Sequence, residues 1–598
     1  MRAPTRRLSA LLAVVALVLP GCGLVDSGGG PEQSAEQFLA AFAGGDSTTA
    51  ADKTDSPESA KALMDKVRGA LKPATVIAQV EKVDATSSGA RASFRVTWDL
   101  GRARTWAYDG SFELVGSGDD WKVRWSPSVL HPKLSAQQSL AVQDADPSLA
   151  PVLDRDGTTV LAPERVISVL FEQAKAGEQA QASIDALAGA LGGIDPAITA
   201  QSIAEGAKAA GGPYQVVALR DADYQKVKGA IYELPGVRFT AESRLLPADR
   251  ALAPTLLPAI RKVIEDQVKG KSGYRVFTVD SGGNEDEVLF EKPAESAKAV
   301  SVALSTKMQQ AAQAAIAGEA TPSMIVAIQP STGDILAVAQ NAPADAQGQL
   351  ALTGRYPPGS TFKIVTAAQA LAGGTVTPDT PLGCPASIVV NGREIPNSNR
   401  FDKGVIPLRS AFAFSCNTTF AELAKGMGAG DLTAMAKRFG IGVDYVVPGL
   451  TTITGSVPQA GDVNQRAEDS FGQGKVVASP FGMAVATATA ASGTVPKPVL
   501  IRGAETKIDA VPEPVPAAVL DGVRLMMAEV VTGGTAGVLA QYGDVRGKTG
   551  TAQFGDGTRS HGWFVGYRGD LAFAVLLTDV GQSGTAVEAT GRFLAAAG

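Results

Sequence analysis

At about 150 residues per folding unit, a chain of 598 residues and 61.2 kDa implies about four units and excludes a single compact core. Hydrophobic residues at 45%, charged at 19% and aromatic at 6% exclude wholesale disorder and a multi-span membrane protein. The net charge is −6, or −9 without the three positive charges of Arg2, Arg6 and Arg7, which leaves no basic surplus for nucleic acid. Two histidines (His131, His561) and three cysteines (Cys22, Cys384, Cys416) build no zinc cluster, and a Ser-His-Asp triad would depend on one of two distant imidazoles, so chemistry here needs other bases and no metal or cofactor is expected.

The three arginines precede an apolar stretch, Leu8 to Leu19, too short for the roughly 20 residues of a spanning helix but suited to a signal-peptide core. It ends Leu19-Pro20-Gly21-Cys22, which resembles the lipobox of bacterial lipoproteins. That resemblance implies a leader over 1–21, acylation of Cys22 and an extracytoplasmic protein anchored to the membrane by lipid. An ordinary secretory signal with a chance cysteine is the alternative.

A linker over 22–33 leads to a first domain, 34–136. The run Ala35 to Phe42 has helical apolar spacing and stops at Gly44-Gly45. Residues 93–100, 104–115 and 121–125 alternate apolar with polar, as half-buried antiparallel strands do, and this region holds four of the five tryptophans. Trp121 to Pro132 resembles the end of the NTF2-like domain found in some penicillin-binding proteins. His131, with no titratable partner nearby in sequence, reads as structural.

From 145 to 295 the chain is Ala-rich and mixed. A turn is expected at Asp154-Arg155-Asp156-Gly157, a helix around Pro163 to Gly177, and a hairpin tip or linker over Asp280 to Glu287. Position and the Asp-Arg-Asp-Gly start loosely resemble the dimerisation module of class B penicillin-binding proteins.

Over 300–598, Met324 to Pro330 and Asp334 to Gln340 read as one hairpin, and Gly562 to Tyr567 and Leu571 to Leu577 as another, with a mostly helical insertion between them. Strands, then helices, then strands describe an α+β unit whose sheet closes when the chain ends meet, leaving a cleft between sheet and helices. The whole chain is expected to be multidomain α+β.

Three motifs fall in this last region. In Pro357-Pro358-Gly359-Ser360-Thr361-Phe362-Lys363 a bend runs into a helix start, so Ser360 sits at a helix N-terminus with the Lys363 amine one turn along. Ser415-Cys416-Asn417 follows 55 residues after Ser360, and Lys548-Thr549-Gly550-Thr551 follows 133 residues after Ser415. The last reads as a cleft-edge strand, with Gly550 leaving that edge bare for close backbone approach. The order Ser-x-x-Lys, Ser-x-Asn, Lys-Thr-Gly resembles the penicillin-binding protein and serine β-lactamase superfamily. Phe471-Gly472-Gln473-Gly474 and Trp563-Phe564-Val565-Gly566 fit the same family and read as framework.

With its upstream modules the chain is similar to class B penicillin-binding proteins. The resemblance implies a peptidoglycan D,D-transpeptidase in which Ser360 is the nucleophile, Lys363 the general base, Ser415 a proton relay and Asn417 a holder of Lys363 and the substrate amide. Lys548 would supply positive charge, and Thr549, Gly550 and Thr551 would line the subsite for the substrate's terminal carboxylate. The oxyanion hole would use the main-chain N–H groups of Ser360 and of Ala552, or of Thr551 if the register slips by one. The implied partners are D-Ala-D-Ala stem peptides, β-lactams, the membrane and a glycosyltransferase or division protein. A D,D-carboxypeptidase, a β-lactamase and a β-lactam-binding scaffold or sensor remain alternatives. Once Cys22 is lipidated, Cys384 and Cys416 are left either as a disulfide or as buried thiols.

Overall fold

The computed structural model describes residues 30–598 apart from 87, 88 and 119, so the leader and Cys22 lie outside the described residues. Contacts divide the chain into two compact units. One holds the described residues up to Asp146 together with Ser272–Glu295, the other Pro147–Lys271 with Ser296–Gly598.

In the first unit the helix Pro31–Gly44 buries Ala35, Phe38, Leu39 and Phe42, positions three and four apart that form one face, and ends at Gly45, whose φ of 82° a side chain would strain. That face lies on an antiparallel sheet of Thr75–Thr86, Gly89–Asp99, Thr105–Ser117 and Asp120–Val123. Phe38 meets Phe112 edge-on at 5.4 Å and Phe42 meets Trp98 at 5.6 Å, while Trp98 and Trp106, opposite in register, stack at 6.3 Å. His131 is buried against Trp106 and Tyr108, its Nδ1 accepts from the Lys133 N–H at 3.2 Å, and burial first, then the Lys133 charge, push its pKa down to about 4. A neutral packed imidazole agrees with the structural reading.

The strand Ser139–Ala145 leaves this domain and pairs with Gly273–Val279, which turns back as Glu285–Lys292. Asp280–Glu287 is therefore a hairpin tip, with Asp280 Oδ1 accepting from the N–H groups of Gly282 and Asn284 at 2.8 and 2.9 Å. This pairing shares the 145–295 segment between the two units.

In the second unit, Thr159–Phe171 is the central strand between Tyr214–Arg220 and Val237–Pro247, and its Ile167, Val169 and Phe171 pack with Leu187 of the helix Ala180–Leu191. The helix expected around Pro163 to Gly177 is thus a strand over most of its length, followed by one helical turn, Gln173–Ala176. The run Val166-Ile-Ser-Val169, with three β-branched residues, finds partners on both sides, which local helix spacing could not reveal. Asp154 closes the expected turn, accepting from Asp156 and Thr158 at 2.9 and 2.8 Å and from the Thr306 N–H at 3.0 Å.

The remainder is built on five strands. The elements that position the site are, in chain order, β1 (Ser323–Ile328), β2 (Ile335–Gln340), α1 (Lys363–Ala372), α2 (Asn417–Lys425), α3 (Pro480–Ser492), β3 (Val545–Phe554), β4 (Arg559–Arg568), β5 (Leu571–Leu577) and α4 (Gly584–Ala597). The sheet runs β2-β1-β5-β4-β3, all antiparallel, so both expected hairpins form and the sheet closes where β1 pairs β5. Every residue of β1 and β5 is buried, so helices cover both faces. The helix α3 is apolar or small all round and nearly wholly buried, as a central helix must be. The edge strands are β2 and β3, and the outer edge of β3 lies along the cleft.

Candidate functional site

Pro358 caps a single 3₁₀ turn, Gly359–Phe362, which continues into α1. Side chains three apart eclipse in a 3₁₀ turn, and Lys363 Nζ lies 3.0 Å from Ser360 Oγ. The turn is pinned from beneath. Gly359 donates to the Gly472 carbonyl at 2.9 Å, Thr361 Oγ1 donates to the Pro358 carbonyl at 2.7 Å, and Trp563 Nε1 donates to the Pro357 carbonyl at 3.0 Å. Gly550 is required here, because a Cβ on it would meet the Pro358 carbonyl at 2.9 Å and the Thr361 methyl at 2.8 Å.

The second motif arrives on the turn before α2. Ser415 has φ of 64°, the left-handed region a serine rarely adopts, and its neighbours hold it there. Cys416 is disulfide-bonded to Cys384 with a Cα separation of 5.9 Å, resolving the alternative left open above, and Asn417 begins α2. Lys363 Nζ is 2.8 Å from the Ser415 carbonyl, 3.3 Å from Ser415 Oγ and 2.7 Å from Asn417 Oδ1. The Asn417 amide donates to the Pro396 carbonyl at 3.2 Å, which fixes which end faces the lysine.

Lys548 on β3 approaches from the other side. Its Nζ donates to Ser415 Oγ and to the Thr549 carbonyl, both at 3.0 Å, so Ser415 Oγ lies between two lysine nitrogens. Both amines are fully buried, and each lies 5.5 Å from an aromatic centroid, Phe420 for Lys363 and Phe412 for Lys548. Burial, followed by the charge on Lys548, holds the Lys363 pKa well below the usual lysine range, and burial brings that of Lys548 down to about 7.

The cleft above this group has a volume of about 820 Å³, and Ser360, Ser415, Asn417, Thr549 and Thr551 line it. Gln473, read from sequence as framework, lies on its wall. With its amide oriented to match, Gln473 accepts from the Gln553 N–H at 2.9 Å and donates to the Gln553 carbonyl at 3.2 Å. Main-chain groups alternate along a strand, so the N–H groups of Thr551 and Gln553 face the free edge of β3 and that of Ala552 faces β4. The Ala552 side chain is itself buried in the core. This corrects the expectation for Ala552: the main-chain donor on the cleft side is Thr551. Sequence reasoning also missed Thr535, whose hydroxyl is 2.7 Å from that of Thr549, and the 396–403 loop that walls the cleft. Neither carries a motif, and Gly-Gln-Gly was the one available signal for Gln473.

The site is thus a half-buried serine beside a buried lysine, on a cleft between an antiparallel sheet edge and a helical region. Residues 323–595 match the penicillin binding protein transpeptidase domain, and residues 30–138 match the NTF2-like N-terminal transpeptidase domain. The chain is class B penicillin-binding-protein-like, with an NTF2-like domain ahead of a transpeptidase-like one. Among known proteins it is similar to the peptidoglycan D,D-transpeptidase PbpA of Mycolicibacterium smegmatis, 31% identical over 322 residues, 46% of this chain and 64% of that protein. PbpA of Mycobacterium tuberculosis H37Rv is 29% identical over 319 residues, again 46% of this chain and 64% of the relative. The chain thus spans slightly under two thirds of the length of these relatives. Penicillin-binding protein 3 of Bacillus subtilis is 23% identical over 582 residues, covering 84% of this chain and 82% of that one. The fold is shared with the Helicobacter pylori penicillin-binding protein PBP2 solved in complex with MreC, at a TM-score of 0.57 and 17% identity over 76% of this chain and 98% of that one.

Proposed function

We propose that this chain is a peptidoglycan D,D-transpeptidase working through a Ser360 acyl-enzyme. The contacts of the Lys363 amine carry the reading. The Ser415 carbonyl and Asn417 Oδ1 can only accept, so a neutral amine spends its two N–H groups on them and turns its lone pair to the Ser360 hydroxyl. Burial and the Lys548 charge favour that neutral form.

In the proposed reaction the Ser360 proton passes to Lys363 Nζ as Oγ attacks the carbonyl of the penultimate D-alanine. The oxyanion is received by the main-chain N–H groups of Ser360 and Thr551. The proton returns through Ser415 Oγ to the departing D-alanine amine, the C–N bond breaks, and an amine of a neighbouring stem then takes the acyl group from Ser360. Thr549, Thr551 and Lys548 hold the terminal carboxylate, and a β-lactam would acylate the same serine. We extend the reading to lipid anchoring through Cys22 outside the cytoplasm and to a partner protein, as the H. pylori protein of similar fold has in MreC. Among the described residues no helix is long and apolar enough to cross a membrane.

Labelled penicillin is expected to mark the wild type covalently and to leave Ser360→Ala unlabelled by intact-protein mass. Incubation with lipid-linked pentapeptide and an amine acceptor then separates transfer from hydrolysis, and release of tetrapeptide without cross-linked product would make the chain a carboxypeptidase.

A further inference from the structure

Among the described residues lining the cleft there is no aspartate or glutamate, while Arg400 and Lys403 both stand on the wall formed by 396–403. The two cations differ in availability. Arg400 is closed onto Glu394 through both guanidinium nitrogens, at 2.6 and 3.1 Å, so its charge is already answered. Lys403 forms no ion pair with a carboxylate among the described residues. Its ammonium is held 4.5 Å from the centroid of the Phe414 ring. A ring face fixes a cation without neutralising it and leaves N–H donors free for a ligand.

The mounting of Lys403 is firm on both sides. Its main-chain N–H donates to the Cys384 carbonyl at 3.0 Å, and Cys384 is bonded to Cys416. Phe414 packs on that disulfide and immediately precedes Ser415, so the cation is registered against the same turn that carries Ser415 and Asn417.

We propose that Lys403 is a specificity residue that pairs with a carboxylate of the stem peptide other than its C-terminal one. This rests on the transpeptidase reading. The C-terminal carboxylate already has Thr549, Thr551 and Lys548. The one carboxylate within 396–403, that of Asp402, is not among the cleft-lining residues and accepts from the Ala386 and Gly404 N–H groups, so a second fixed cation on the cleft suits a substrate with a second negative charge.

Benzylpenicillin and carbenicillin differ by one carboxylate on the acylamino side chain, which makes them the probe. Acylation rate constants are measured for the full chain, for Lys403→Gln and for Lys403→Arg, with thermal melting to check that each folds. In Lys403→Gln the carbenicillin-to-benzylpenicillin ratio of rate constants is expected to fall about five-fold, the scale of one partly exposed ion pair. Lys403→Arg should keep the ratio, and raised ionic strength should lower it in the wild type and in Lys403→Arg but not in Lys403→Gln. An unchanged ratio in folded Lys403→Gln overturns the proposal while leaving the acyl-enzyme intact. Failure of both penicillins to acylate the wild type removes the acyl-enzyme reading and this assignment with it.

Discussion

Two lysines share one serine hydroxyl in this cleft, and the sign of their interaction sets how the site titrates. Lys363 acts as a base only when neutral, so acylation rises with pH through its depressed pKa. Lys548 titrates at about 7, so its charge, and with it the hold on the substrate carboxylate, fades above that. The rate of penicillin acylation should therefore be bell-shaped in pH. Lys548 also lowers the Lys363 pKa through its charge, so in Lys548→Gln the acidic limb is expected at higher pH. A limb that stays put or moves lower would show that the two amines do not communicate.

At the scale of elements, the site is an alignment of three pieces joined by the contacts of the Lys363 and Lys548 amines with the Ser415-Asn417 turn, and a disulfide braces that turn from outside. The Cys384–Cys416 disulfide closes 32 residues and ties the Ser415 turn to the strand Pro381–Cys384. Replacing both cysteines with serine is expected to cost about 2–4 kcal/mol in urea unfolding and to slow acylation as well, since Ser415 loses a neighbour that holds its left-handed φ. Mass spectrometry without reduction should find the wild type two hydrogens lighter than its reduced form. Gly472 is the second fixing point. At φ of 71° a Cβ there would overlap the Gly359 main chain, which supports the serine turn. Gly472→Ala is expected to lose about 1–3 kcal/mol of stability and to depress acylation more than Gly503→Ala, at a glycine with the same left-handed strain but nothing nearby to hit.

At the scale of the molecule, chain order and spatial grouping part company. The first compact unit takes its last two strands from residues more than a hundred positions downstream of Asp146. Among the described residues Gly273–Val279 is the strand that pairs Ser139–Ala145, and Leu140, Tyr274 and Val276 join the same core. A polypeptide of residues 30–146 is therefore expected to melt lower than the same piece carrying 272–295 on a short linker, as circular dichroism would report. Equal melting would mean the hairpin adds nothing to that core.

Local chemistry was enough to make much of this legible. Ser360, Lys363, Ser415, Asn417 and Lys548 were picked out because each sits in a short motif whose spacing reflects one turn of chain, and those side chains do converge. The two hairpins of the last domain were readable because continuous apolar runs bounded by Gly-Asp and Thr-Gly turns have few other uses. Residues 163–171 form a strand and not the expected helix, since a strand between two partners is stabilised by residues some forty to eighty positions away. The cleft-side donor was misplaced by one residue because main-chain direction alternates along a strand and only pairing with β4 tells which face looks out. Gln473, Lys403 and the Cys384–Cys416 bond depend on distances between segments that the chain order leaves open. Which side chains can do chemistry is written in local motifs, whereas which groups face the cleft follows from packing, because burial and partner choice belong to the assembled fold.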